Sequence, residues 1–207
     1  MSMFRSFLNQ VTKQSSDGQA HEGIRSVQLS QKRYVFQRLP ENAAELSQID
    51  RSGPNGKLLM IPLLIAAFKT WTPQDPETCY EMMKLLLNSP TAGSMAPFTN
   101  YTKSFVRERM MQNSKWQYIA DAYFEGATPA NHYTPNRPYA ITVREYVYAP
   151  QTSTIYGRPL SVEKVVIEFA GADTERQLSV YQDPTNGQWY IFSDSYGGFL
   201  MDVKTPY

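Results

Sequence analysis

Residues 139–150 read YAITVREYVYAP, and the fold turns on how they are read. Ile141, Val143 and Val147 alternate with Thr142, Arg144, Tyr146 and Tyr148, the period of two that puts one face of a strand on a core and the other toward water. The pattern persists downstream. In EKVVIEFAG, Val165, Ile167 and Phe169 share a face. RQLSVYQ and QWYIFSD flank DPTNG (183–187), a β-hairpin loop in which Gly187 supplies the left-handed residue. SYGGFLMDVKTPY (195–207) carries no pattern that assigns it.

Upstream of Tyr139 the period is 3.6. Leu58 to Phe68 is apolar on all sides, which predicts a helix buried on most of its surface, kinked or restarted at Pro62. SGPNG (52–56) before it is a turn signal. TPQDPETCYEMMKLLLNSP (72–90) is an amphipathic helix with Asp75 as N-cap, Pro76 at the first helical position, and Cys79, Met82, Met83, Leu86 and Leu87 on one stripe. Helices are also predicted over 98–113 and 115–124, the second presenting Trp116, Ile119, Ala120 and Tyr123. Pro40 is expected to open a short helix carrying Ala43, Ala44, Leu46 and Ile49, after an extended piece around Tyr34, Val35 and Phe36.

Helices grouped before strands predict an α+β fold, its helical N-terminal half packed on a small antiparallel β-sheet formed by the C-terminal half. Residues 26–207 are expected to form a single α+β domain. Residues 1–25 read as an amphipathic segment, with Phe4, Phe7, Leu8 and Val11 on one face, followed by a polar tether holding His21. That segment is a candidate for docking on a partner or a membrane surface, or for no docking at all.

Composition bounds the chemistry. A net charge of +1 leaves no long-range field to draw nucleic acid, and charged residues at 19% fall below the average of about 25%. The apolar run is about half what a membrane span needs, and no signal peptide is read at residues 1–14, so the expected location is cytoplasmic. One cysteine and two histidines put a His/Cys metal site out of reach, and no cofactor is implied. Gly53 and Gly56 stand two residues apart and Lys57 is followed by Leu58, so SGPNGKLL is not a phosphate loop.

Between the halves lies FEGATPANHYTPNRPY (124–139). Gly126 can end a helix, and Pro129, Pro135 and Pro138 hold the chain extended, so the stretch is first a crossing from helices to sheet. Asn131, Tyr133 and Asn136 are more specific than a crossing requires. They, with His132 and the strand-face residues Arg144, Tyr146 and Tyr148, are the candidate binding residues. Eleven of fourteen tyrosines lie from residue 118 onward, which permits an aromatic platform for a ligand or an ordinary strand face.

The leading expectation is a non-catalytic binding module with a protein or small-molecule partner. One alternative is a hydrolase or isomerase of unrecognised type built around His132 with Asp121 or Glu125. Cys79 as a nucleophile with His132 as base is a separate reading, and its stripe position marks a buried, inert thiol instead. A second alternative is a structural subunit acting through self-association.

FEGATPANHYTPNRPYAITV resembles the signature of an uncharacterised bacterial family, a domain of unknown function, with a G-A-x-P-x-N-x-Y-T-P-x-x-P-Y-x-[IV]-T-V run. LPENAAEL (39–46), the apolar helix after the Gly-Pro turn, FAGADTERQLSV and NGQWYIF are similar in the same order. The resemblance implies a single intracellular domain. It brings no activity, ligand or catalytic residue, and it places His132 at a variable position.

Overall fold

The computed structural model describes residues 30–146 and 151–207. The N-terminal segment, its tether, and Val147 and Tyr148 lie outside the described residues.

The apolar run forms α2 (Gly53–Lys69), which is continuous through Pro62 rather than restarted there. The missing Pro62 amide leaves the Leu58 carbonyl without its helical partner. Burial of every residue from Leu58 to Phe68 offsets that loss, since each large apolar side chain removed from water contributes about 1.5–3 kcal/mol. The turn signal SGPNG is the start of this helix, with Ser52 as N-cap and Pro54 in its first turn. A shorter helix, α1 (Ala43–Ser47), precedes it. Pro40 does not open α1: Asn42 caps it, its Oδ1 accepting the Glu45 amide at 2.9 Å, a role proline has no acceptor to fill.

The next helix, α3 (Glu77–Leu87), buries Cys79, Met82, Met83, Leu86 and Leu87 as the periodicity predicts. Pro76 stands at its N-cap rather than in the first turn, and Asp75 just ahead takes the Thr78 amide at 3.3 Å and the Thr78 hydroxyl at 2.7 Å. Thr99 caps α4 (Asn100–Met111) in a reciprocal box with Thr102. The helix expected over 115–124 is instead two 3₁₀ turns, Gln112–Gln117 and Asp121–Tyr123. Asn113 and Ser114 take left-handed conformations at φ 52° and 54°, which breaks the register after α4.

The strands form one mixed-length antiparallel sheet. β1 (Gln31–Phe36) pairs along β2 (Tyr139–Glu145), with Tyr34 opposite Ile141. The extended piece before the helices is therefore an edge strand of the sheet, so the sheet is not built from the C-terminal half alone. β4 (Arg158–Ile167) is the spine: one edge pairs β2 at Val165 and Val166 and β3 (Gln151–Ile155) from Arg158 to Val162, and the other pairs β5 (Arg176–Gln182). The β3–β4 hairpin, which the period-two reading does not reach, closes on Tyr156 and Gly157, both at positive φ. β5 runs into β6 (Trp189–Ile191) through the predicted turn, where the Gly187 amide donates to the Asp183 carbonyl and Gly187 sits at φ 70°.

One sheet face, carrying Ile141, Val143, Val165, Ile167, Leu178, Val180 and Ile191, shares a continuous core with α2 and α3. Lys57 on α2 ties that face down by pairing with Glu145 at 2.5 Å and Glu163 at 2.6 Å. On the opposite face Ile155, Leu160, Val162, Tyr181 and Tyr190 form a second cluster. Buried Asp183 joins the hairpin to the loop after α3, accepting from the Thr91 amide, the Thr91 hydroxyl and the Thr185 amide. The chain is thus mixed α+β with an antiparallel sheet. No helix among the described residues is long and apolar enough to cross a membrane.

Candidate functional site

Short side chains wire the crossing between helices and sheet to its own backbone. Glu125 opens it by docking on the sheet. Its carboxylate takes Arg33 of β1 in a bidentate pair at 2.8–3.1 Å and the Thr142 hydroxyl of β2 at 3.0 Å. These donors hold the Glu125 carboxyl below the usual carboxylate range, the Arg33 hydrogen bonds contributing most. Its backbone completes a ladder, the Glu125 amide donating to Ala140 O and the Asn136 amide to Glu125 O, each at 2.9 Å.

Gly126 then turns at φ 83°, and a Cβ there would fall 2.4 Å from Cγ of Asn136. Glycine is required on both counts, conformation and space. Asn136 is one of the residues too specific for a plain crossing, and its side chain occupies the volume Gly126 vacates.

Asn131 accounts for most of the loop's order. Its Oδ1 accepts from the amides of Thr128 at 2.8 Å and Thr134 at 3.2 Å, and its Nδ2 donates to the carbonyls of Gly126 at 2.7 Å and Thr134 at 3.1 Å. A side-chain amide has two donor hydrogens and two acceptor lone pairs, so its capacity is fully used on the loop's own backbone. Thr128 completes a capping box around the 3₁₀ turn Pro129–Asn131. Thr128 is a working residue that the candidate set omits; its T-x-x-N spacing to Asn131 is the signal that finds it.

His132 and Tyr133 follow at φ 52° and 55° and part company. Tyr133 turns inward, 1% exposed, stacked on Tyr118 with ring centroids 5.4 Å apart, and its hydroxyl donates to the Lys204 carbonyl at 2.8 Å. Burial, with Tyr118 and Tyr207 nearby, pushes its hydroxyl up to about 12, so it stays a donor at any ordinary pH. His132 points outward and is exposed. The carboxylates named with it are engaged elsewhere, Asp121 with Lys69 at 2.5 Å and Glu125 with Arg33. Cys79 lies in the core with its thiol pushed up by burial, so it is not a thiolate.

The crossing therefore presents Ala130, His132, Thr134, Asn136, Arg137 and Pro138 to solvent on a frame that Asn131 and Tyr133 hold. The Arg137 guanidinium lies 3.7 Å from the Tyr139 ring centroid, which seats the head of that surface on the first residue of β2.

The strand-face candidates lie apart from this frame. Arg144 is committed to Glu175 and, at 3.4 Å, to Glu168. These two acids, with Phe169, Ala172, Asp173 and Thr174, line a shallow cavity of about 290 Å³. The Tyr146 amide donates to Lys164 O at 3.0 Å, and the Lys164 ammonium stands 5.9 Å from the Tyr146 ring centroid. Tyr148 is outside the described residues. Tyr181 and Tyr190, the aromatics flanking the hairpin, are buried and form no exposed platform.

Much of the tyrosine surplus is structural: the hydroxyls of Tyr34, Tyr80, Tyr123 and Tyr133 donate to the carbonyls of Asn55, Lys103, Phe199 and Lys204. Each ring fills core while its hydroxyl ties down a distant segment: the first turn of α2, α4, the 3₁₀ turn at Phe199 or the stretch at Lys204. Among the described residues no group of three or more His, Cys, Asp or Glu could hold a metal ion.

A mixed α+β domain with a hydrogen-bonded crossing loop, whose acids are already paired, defines a class by architecture rather than by a reaction. The chain belongs to the family Domain of unknown function (DUF6935), whose model matches residues 38–207 and so takes in the whole crossing. No curated protein and no solved structure matches it.

Proposed function

We propose that this protein is a non-catalytic binding module whose contact surface is the exposed side of the crossing, His132, Thr134, Asn136, Arg137 and Pro138. The observation that carries this reading is the bonding of Asn131. An irregular surface loop that spends a complete side-chain amide on its own backbone is ordered before any partner arrives, which lowers the entropic cost of binding. The surface offers hydrogen-bond donors and a guanidinium with little apolar area, which suits a polar, hydrated protein contact. Arg144 and Tyr146 stand aside from it, so the strand face is a lesser part of the reading. In this account the protein works in the cytoplasm as one unit over residues 26–207. The helices buttress the sheet, and residues 1–25 serve as tether or docking segment.

The test is comparative capture. Wild-type protein and a His132→Ala/Asn136→Ala/Arg137→Ala variant are immobilised at equal density, and retained proteins are quantified. Binding by the crossing predicts a partner retained by the wild type and lost from the variant, with melting temperatures within a few degrees of each other. Equal retention by both proteins contradicts it. The hydrolase or isomerase alternative loses its support from Asp121 and Glu125, which are engaged with Lys69 and Arg33.

A further inference from the structure

After the 3₁₀ turn Ser195–Leu200 the chain leaves the core and runs as an extended strap, Met201–Tyr207, over the surface. It bends at Asp202, φ 50°, and buries one side chain, Val203. Its backbone is held like that of a bound peptide. Arg176 Nη2 donates to the carbonyls of Met201 at 3.1 Å and Asp202 at 3.3 Å. The Lys204 amide donates to Gly171 O at 2.8 Å, and the Lys204 carbonyl accepts the Tyr133 hydroxyl at 2.8 Å. The Tyr207 amide donates to Pro129 O at 3.2 Å. One side-chain pair, Lys204 Nζ to Asp173 at 2.5 Å, fixes register. Each of these partners is distant in sequence, and the strap residues Lys204, Thr205 and Tyr207 are exposed, Tyr207 by 80%.

We propose that Pro129, Tyr133, Gly171, Asp173 and Arg176 form a peptide-binding groove that the strap fills in cis, and that the same segment of a second copy of this chain can fill it in trans. The recognition is that of an extended peptide: main-chain hydrogen bonds at Met201, Asp202, Lys204 and Tyr207 supply attachment, and the burial of Val203 and the Asp173 carboxylate beside Lys204 supply specificity. Val203 is the strap's one buried residue and packs on the main core. Release of the strap gives up that single apolar contact site while the helices and strands stay hydrogen-bonded, which suits a segment that exchanges between copies. In cis the groove sees its own strap at an effective concentration in the millimolar range, so trans filling requires that the resident strap be weakened or the protein be concentrated. The inference stands on the strap's contacts and does not require the crossing to be a contact surface.

The test uses the full chain carrying Val203→Asp and Lys204→Glu, changes that oppose the apolar surroundings of Val203 and the Asp173 carboxylate. A fluorescent peptide of wild-type sequence 201–207 is titrated to about 2 mM into this variant and into the wild type, matching the expected range of effective concentration. Saturable binding to the variant at least about tenfold tighter than to the wild type is expected, together with loss of binding when the peptide carries the same two changes. Equal binding to both proteins, or no saturable binding to a folded variant, overturns the proposal. So does a variant without a cooperative melt, since the strap would then be part of the core rather than a ligand of it.

Discussion

Helix α2 and the crossing at 124–138 are both well ordered, by opposite means. The helix is held by burial: Leu58 to Phe68 are all buried, and its sequence has almost no polar specificity. The crossing is held by polar satisfaction: its surface is exposed, Asn131, Thr128 and Tyr133 supply order through hydrogen bonds to named backbone atoms, and Glu125 through the Arg33 and Thr142 side chains. Burial scales with area and tolerates exchange of one apolar residue for another. Polar satisfaction is all-or-none at each group, since a partner left unpaired costs about 1–3 kcal/mol when shielded from water. The helix should therefore respond to mutation as one body with the domain, and the crossing as a local unit.

The largest effect should come from the helix. Leu64→Ala, at a fully buried position, is expected to cost about 2–5 kcal/mol in denaturant unfolding, with every probe reporting the same loss. A loss confined to signals from α2 would break the comparison, because burial would then be acting locally.

Asn131→Ala should come next. The Thr128 amide and the Gly126 and Thr134 carbonyls lose their partner, but water can reach them, so the expected global cost is about 1–3 kcal/mol with disorder confined to residues 126–136. Asn131→Asp keeps the two acceptor bonds and loses the two donor bonds, and should fall between wild type and alanine.

Gly126→Ala is expected to cost about 1–2 kcal/mol from the positive φ alone, and more while Asn136 stays in place. Asn136→Ala introduced with it should recover the steric part only, a coupling that a double-mutant cycle measures directly. Additive losses would mean that the two residues do not share the volume.

The smallest effect is a pH dependence. The folded-state carboxyl of Glu125 is lowered, so its contribution is present above the unfolded glutamate value of about 4.3 and disappears as pH falls through the folded one. Wild type and Glu125→Gln should therefore converge in stability as pH falls through the lowered carboxylate range, with a separation under about 1 kcal/mol at neutral pH, because the Arg33 pair is largely exposed.

The same contrast decides what could be read from the sequence. The helices α2 and α3 and the DPTNG hairpin announce themselves through periodicity, capping residues and a glycine, all local signals. The failures share a cause of the opposite kind. Residues 115–124 look helical by face, yet Asn113 and Ser114 break the backbone, and the segment is pinned from afar by Tyr123, whose hydroxyl reaches Phe199 O at 2.7 Å. The strand identity of 31–36 depends on pairing with residues more than a hundred positions away, and the strap at 201–207 depends on Gly171, Tyr133 and Pro129.

At the crossing, the specificity of Asn131, Tyr133 and Asn136 was legible as residue type, but its purpose was not. Tyr133 faces inward, Asn131 bonds the loop itself, and Asn136 packs against Gly126 while staying exposed, so only the fold separates a residue that builds a surface from one that offers it. The Tyr156-Gly157 hairpin was within reach of local reading, since a two-residue loop ending in glycine between alternating residues carries its own signal.

The central claim, that one asparagine side chain preorganises the exposed crossing, is tested most directly by amide hydrogen exchange in the wild type and in Asn131→Ala. The amide of Thr128, whose acceptor is Asn131 Oδ1, should exchange at least about tenfold faster in the variant, equivalent to about 1.4 kcal/mol of local opening, while Thr134, which keeps the Asn131 backbone carbonyl at 3.1 Å, changes less and the amides of α2 keep their protection. Unchanged exchange at Thr128, or a uniform loss across α2 and the crossing together, would contradict it.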